Sequence, residues 1–221
     1  MDAPVRNGDI EKLLQVCSPS RLDSLVRKIC PGYKADRSAP SLLYEEIHNM
    51  AVVMILTRLR AAGIEAEGEI AIEYGVVDIV VKYRGEIIAV VEVKTGKVKL
   101  IQSAVYAHIT GKPVFIVETK SGRVTKLTPD VATRLVELFI GVLKDIKEVR
   151  GDKVIPNPGC RYCTANCSYG NGRNLKGADP VRNMLKMLDN INVVVDRLIE
   201  GLRMEMERID RGRQDMKERN N

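Results

Sequence analysis

Two short, strongly apolar runs carry charges where a buried strand seldom tolerates them. Val76-Val77-Asp78-Ile79-Val80-Val81 sets one acid among five aliphatic residues, and Ala89-Val90-Val91-Glu92-Val93-Lys94 ends with an acid and a base two apart. Runs so rich in β-branched residues are read as strands with both faces covered. Side chains two apart on a strand share a face, so Glu92 and Lys94 project together while Val91 and Val93 point into the opposite layer. A buried charge persists only with partners, which makes Asp78, Glu92 and Lys94 candidates for one site at a bend of the sheet. An isolated Glu-x-Lys is usually the polar face of a surface hairpin, so the surrounding pattern matters.

That pattern frames the acids. Apolar residues recur at three-and-four spacing through 9–30, broken at Ser18-Pro19-Ser20, and again through 42–59, where Ser41 is the expected N-cap and Gly63 lies beyond the end. From Glu67 the period becomes two, giving strands around Ile70 and Ile72, over 76–83 and over 86–94, with Arg84-Gly85 at the last turn. A helix over 98–110, strands over 113–118 and 123–127, and a helix opened by Thr128-Pro129-Asp130 and running to about 149 complete the pattern. An α/β fold follows: helix, antiparallel strand meander, helix, strand. Placing Asp78 beside Glu92 also pairs Tyr83 with Ile87. The connection must then be a three-residue loop over 84–86 or include a bulge, because a two-residue turn alone slips the register and sends the acids to opposite faces.

Composition permits a polyanionic partner without demanding one: 35 Lys and Arg against 29 Asp and Glu give a net +6, with a pI near 9.1. No run reaches the roughly 18–20 apolar residues of a membrane span, and Met1-Asp2-Ala3-Pro4 lacks the charged and then apolar stretch of a secretory leader. A soluble, cytoplasmic setting is expected, where five cysteines read as metal ligands before disulfides. The length fits one body with additions: an N-terminal helical segment over 1–40, a core over 41–150, a loop over 151–178 and a helical arm over 179–221.

Cys160, Cys163 and Cys167 form C-x-x-C-x-x-x-C in the Gly-, Pro- and Asn-rich stretch 151–178, which has no apolar pattern to hold it. Three thiolates at that spacing imply zinc or an iron-sulfur cluster. For the fourth ligand Cys30, followed by Pro31 at the mouth of a loop, suits better than Cys17 inside a helix. After Asp179-Pro180, Val181, Leu188, Val195, Leu202, Ile209 and Met216 fall seven apart, with Met184, Ile191 and Leu198 between them until Glu205 and Gly212 take that position. One long helix is expected, its coiled-coil seam strongest between Val181 and Leu202, self-associating or docking on a partner in preference to packing on the chain's own core.

Taken in order, Cys30-Pro31, His48, Asp78, Glu92-x-Lys94, Gln102-x-x-x-Tyr106 and the cysteine triad resemble the RecB-like branch of the PD-(D/E)xK nuclease family, over about residues 30–170. The likeness is to its iron-sulfur members, which include the CRISPR-associated RecB-like exonucleases. The resemblance implies a restriction-endonuclease-like core with Asp78, Glu92 and Lys94 as the catalytic acid, acid and lysine. It gives His48 a metal-ligand role, with Glu45 on the same face able to assist, and sets Gln102 and Tyr106 against DNA. Carboxylates there hold Mg2+ or Mn2+, the latter suited by imidazole, and the four cysteines hold a [4Fe-4S] cluster. Val77 stands where the family has proline, and the last two cysteines are closer than usual, which leaves Zn2+ open. His108 matches no motif and is read as structural or surface. The implied activity is a metal-dependent DNA exonuclease acting on free ends or single strands, in CRISPR spacer acquisition beside other adaptation proteins or in DNA end processing. The alternatives are a structure-selective endonuclease and a non-catalytic DNA-binding scaffold with a zinc-stapled loop.

Overall fold

Central strands with aliphatic residues on both faces need cover on both sides, and helices supply it. The computed structural model describes residues 7–25, 30–34, 41–149, 160, 163, 165–169 and 180–219. Helices α1 (Asn7–Val16), α2 (Pro19–Leu25) and α3 (Ser41–Ala61) precede strands β1 (Glu65–Ile72), β2 (Gly75–Tyr83) and β3 (Glu86–Lys94). Helix α4 (Leu100–Thr110), strands β4 (Val114–Glu118) and β5 (Arg123–Leu127), and helices α5 (Pro129–Val149) and α6 (Pro180–Arg219) follow. The sheet keeps chain order, β1-β2-β3-β4-β5, and is antiparallel except for the parallel β3–β4 pair, whose connection contains α4. The fold is thus α/β with a mixed sheet. Of the expected helix over 9–30, residues 26–29 lie outside the described residues, as do 35–40 and most of 151–178.

One face of the sheet buries Ile79, Val81, Val91, Val93, Phe115 and Val117 against α3 and α6; the other buries Val77, Val80, Val90, Val114 and Ile116 against α1, α2, α4 and α5. The N-terminal helices are therefore built into the main body through Ile10, Leu14 and Leu22. Strand β2 changes sides at Asp78, since Val77 and Val80 share a face although they are three apart. The cause lies on β1, whose pairing passes from Gly68↔Ile79 to Ile70↔Val77 and skips Glu69, the residue opposite Asp78. Glu69 adopts φ 54°, a left-handed conformation costing a non-glycine residue about 1–3 kcal/mol.

The β2–β3 connection takes the second of the two routes open to it. Tyr83↔Glu86 flank a two-residue turn at Arg84 and Gly85, both with positive φ, as a type I′ hairpin requires. A bulge then leaves Ile88 over, so that Val81↔Ala89, Val80↔Val90 and Ile79↔Val91 run in the register that sets Asp78 beside Glu92.

Helix α6 departs from expectation. Its stripe does not stay free for a second chain: Met187, Ile191, Val194, Val195, Leu198 and Leu202 are buried in the chain's own core beside α3 and Phe115. The seam does not fray at Leu202 either, because Met206 and Ile209 continue the packing. Glu205, expected to be a costly intruder, is buried but paired with Lys126 and Arg208. Gly201 brings the helix close to the sheet, since a Cβ there would sit 2.8 Å from Phe115 Cε1. No described helix is long and apolar enough to cross a membrane.

Candidate active site

Asp78 sits where β2 changes sides, and Glu92 and Lys94 lie at the C-terminal end of β3. Asp78 Oδ1 lies 3.3 Å from His48 Nε2 on α3, and its Oδ2 accepts the Val93 N–H at 2.7 Å. Glu92 is fully buried. Its Oε2 pairs with Lys94 Nζ at 2.6 Å, while its Oε1 has no hydrogen-bond partner among the described residues. Lys94 Nζ also donates to Gln102 Oε1 at 3.2 Å, Gln102 Nε2 donates to Tyr106 Oη at 3.3 Å, and Tyr106 Oη donates to the Val76 carbonyl at 3.0 Å. Each donor finds an acceptor along this relay, which fixes the Gln102 amide in one orientation. Gly75 makes room for it, as a Cβ there would lie 3.0 Å from the Tyr106 oxygen.

The structure brings together Asp78, Glu92, Lys94, His48, Gln102 and Tyr106. Gln102 and Tyr106 were expected against DNA, yet both are buried and their contacts run to Lys94 and Val76, so their visible role is to position the lysine. Glu45 is exposed on α3, and His108 is tied to Thr133 Oγ1 at 2.9 Å, the structural role expected of it. Asp23 was missed. Its Oδ2 accepts the Gln102 N–H at 3.2 Å in the first turn of α4, whose own N-cap residue, Lys99, makes no side-chain cap. A carboxylate borrowed from another helix leaves no local signature, because capping motifs are recognised within one segment.

Burial, reinforced by the neighbouring Asp78 charge, pushes Glu92 up to about 7 despite Lys94. The hydrogen bond to Asp78 raises His48 above its ordinary value, against the opposing effect of burial. Among the described residues no group of three or more His, Cys, Asp or Glu side chains is placed to hold a metal ion. The donors are paired instead, Asp78 with His48 and Glu92 with Lys94. Their chemistry still fits a hard divalent cation: two repelling carboxylates, one with a buried oxygen lacking any partner, and an imidazole at their side.

Among the described residues, which include all four expected cluster cysteines, no three of these cysteines are placed to hold one metal ion. Cys30 and Cys163 are buried, and Cys160 and Cys167 half-buried. The turn after Cys30, closed by Tyr33 N–H to the Cys30 carbonyl at 3.0 Å, lies against Cys163, whose Sγ accepts the Lys34 and Ala165 N–H groups at 3.4 Å each. Cys17 lies apart, with its Sγ on the Ser18 carbonyl. Comparison of the chain with protein-family models, with curated proteins and with solved structures finds no match. The reading of this site therefore stands on its residues and their geometry.

Proposed function

We propose that the chain is a divalent-metal-dependent DNA nuclease of the RecB-like PD-(D/E)xK type, acting as an exonuclease on free ends or single strands. The observation that carries the reading is the pairing of Asp78 with His48 and of Glu92 with Lys94, the two acids on neighbouring strands, with one buried Glu92 oxygen left without a hydrogen-bond partner among the described residues. The order of α3, the β1–β3 meander, α4 and β4 supports a restriction-endonuclease-like core. Asp78, Glu92 and His48 would hold Mg2+ or Mn2+, which supplies a polarised phosphodiester and a water acidic enough to attack near neutral pH. Lys94, steadied by Glu92 and Gln102, stabilises negative charge developing on the phosphoryl oxygens. Tyr106 anchors Gln102 to the β2 backbone and so holds the lysine in place.

Cys30, Cys160, Cys163 and Cys167 are proposed to hold a [4Fe-4S] cluster, with Zn2+ as the competing occupant. The clip would tie the N-terminal segment to the end of the core, and the Lys34–Cys163 contact supports that pairing. Spacer acquisition in CRISPR systems is the biological setting implied by the resemblance. The deciding assay is digestion of end-labelled linear and of circular DNA with Mn2+, with Asp78→Ala as control. A ladder growing from an end, absent on circles and absent in the variant, is expected. Cutting of circles or junctions would replace the exonuclease by an endonuclease, and binding without any cleavage would favour a scaffold.

A further inference from the structure

The β4–β5 turn is held from three directions beside the candidate active site. Thr119, fully buried, donates its backbone N–H at 3.1 Å and its hydroxyl at 3.4 Å to the carbonyl of Lys94. Gly122 closes the turn with its N–H on the Glu118 carbonyl at 3.0 Å, at a φ of 67° that favours glycine, and its own carbonyl is bound by the Arg197 side chain of α6. Between them, Asn190 Nδ2 donates to two carbonyls at once, Lys120 at 3.0 Å and Lys186 at 2.9 Å. One amide thus ties together the backbones of two lysines from different elements.

A buried threonine, a left-handed glycine and an asparagine therefore fix the backbones that carry the two lysines next to one another. Among the described residues no carboxylate pairs with either ammonium. The acid on the same turn, Glu118, is engaged by the Ser121 hydroxyl at 3.3 Å. Burial, and then the like charge of Lys186, hold Lys120 below the ordinary lysine value. Like charges held close without a counter-charge repel, and an anion relieves that cost.

We propose that Lys120 and Lys186 bind a backbone phosphate of a nucleic-acid strand, next along the strand from the phosphate handled at Lys94. The choice of ligand rests on the nuclease reading; the pairing of the lysines does not. Backbone contacts place the pair near the end of β3: Thr119, next to Lys120, bonds to the Lys94 carbonyl, and Asn190 joins the Lys120 carbonyl to that of Lys186.

The test uses the full chain and a fluorescein-labelled oligothymidine, with binding read by anisotropy in EDTA over a series of salt concentrations. Lys120→Ala and Lys186→Ala should each weaken binding several-fold and lower the slope of log K against log salt by about 0.7, the single-strand value per phosphate. Their melting temperatures should not fall, since each removes a repulsion. Lys12→Ala, an exposed lysine on α1, is the control. Wild-type affinity and slope in both lysine variants would overturn the site, as would an equal loss in the control, which would reduce the effect to net charge. Failure of the wild-type chain to bind overturns it too. Binding with the expected slopes but no Mn2+-dependent cleavage would support the phosphate site while rejecting the nuclease.

Discussion

Asp78 Oδ2 takes the N–H of Val93 at 2.7 Å, just past Ile79↔Val91, the last pair of the β2–β3 ladder. A side chain has taken over from a backbone carbonyl, which fixes the carboxylate beside Glu92 and ties the site to the sheet. Asp78→Ala should lose metal-dependent cleavage and also about 1–3 kcal/mol, because the Val93 N–H is left unpaired. Asp78→Asn keeps an acceptor, so it should lose cleavage with little loss of stability. Melting and cleavage measured on both variants separate the two roles, and equal destabilisation by both would refute the division.

Lys94→Ala should lower kcat about 10²- to 10³-fold if its ammonium stabilises developing charge. Gln102→Ala, which only removes a hold on that ammonium, should cost about 10- to 100-fold. Steady-state kinetics should show the loss in kcat, with KM little changed; a pure KM effect for Gln102→Ala would make it a DNA contact after all.

Metal binding should depend steeply on pH. Glu92 and His48 are both shifted upward, so the site they form without metal is most stable protonated. That contribution is complete below their unfolded values, 4.5 and 6.5, and is lost as pH rises through about 7 for Glu92 and through a value above 6.5 for His48. A cation needs the deprotonated forms, so the rise in melting temperature on adding Mn2+ should be small at pH 5.5 and large at pH 8. A rise independent of pH would place the cation elsewhere.

Anaerobically purified protein should be brown, with several irons per chain, and Cys30→Ser or Cys163→Ser should bleach it, whereas Cys17→Ser should not. Colourless protein with one zinc would keep the site and reject the cluster.

Two glycines of α6 should respond in opposite senses to alanine. Gly201→Ala forces a methyl against Phe115 and should destabilise, overpacking costing about 1–3 kcal/mol against the helical gain of alanine. Gly212 has nothing within 4 Å, so Gly212→Ala should stabilise by up to about 1 kcal/mol. Thermal melts of the two variants check the pair, and Phe115→Leu should rescue the first.

Glu205 gives the helix an acid-labile fastening. Burial raises its pKa, but the bonds to Arg208 and Lys126 outweigh burial and hold it below 4.5. Its stabilising contribution is present above 4.5 and is lost as pH falls through the lower folded value. The melting temperature should drop more steeply below pH 4.5 in the native chain than in Glu205→Gln; parallel curves would deny Glu205 this role.

Helix and strand identities, and the spacing that puts Asp78, Glu92 and Lys94 in reach of one another, were legible in the sequence because period and register are local properties of the chain. The need for a three-residue loop or a bulge between β2 and β3 followed from the same parity, and the bulge at Ile88 met it. Three things were settled only in three dimensions. The change of face at Asp78 depends on Glu69, on another strand, leaving the ladder. The N-terminus of α4 is satisfied by Asp23 from α2, in place of a cap of its own. The destination of α6 was open because an apolar stripe gains the same burial against a second helix as against a sheet; Gly201 against Phe115 and Lys126 reaching Glu205 made the sheet the better fit, through contacts whose partners lie about 80 residues apart in the chain.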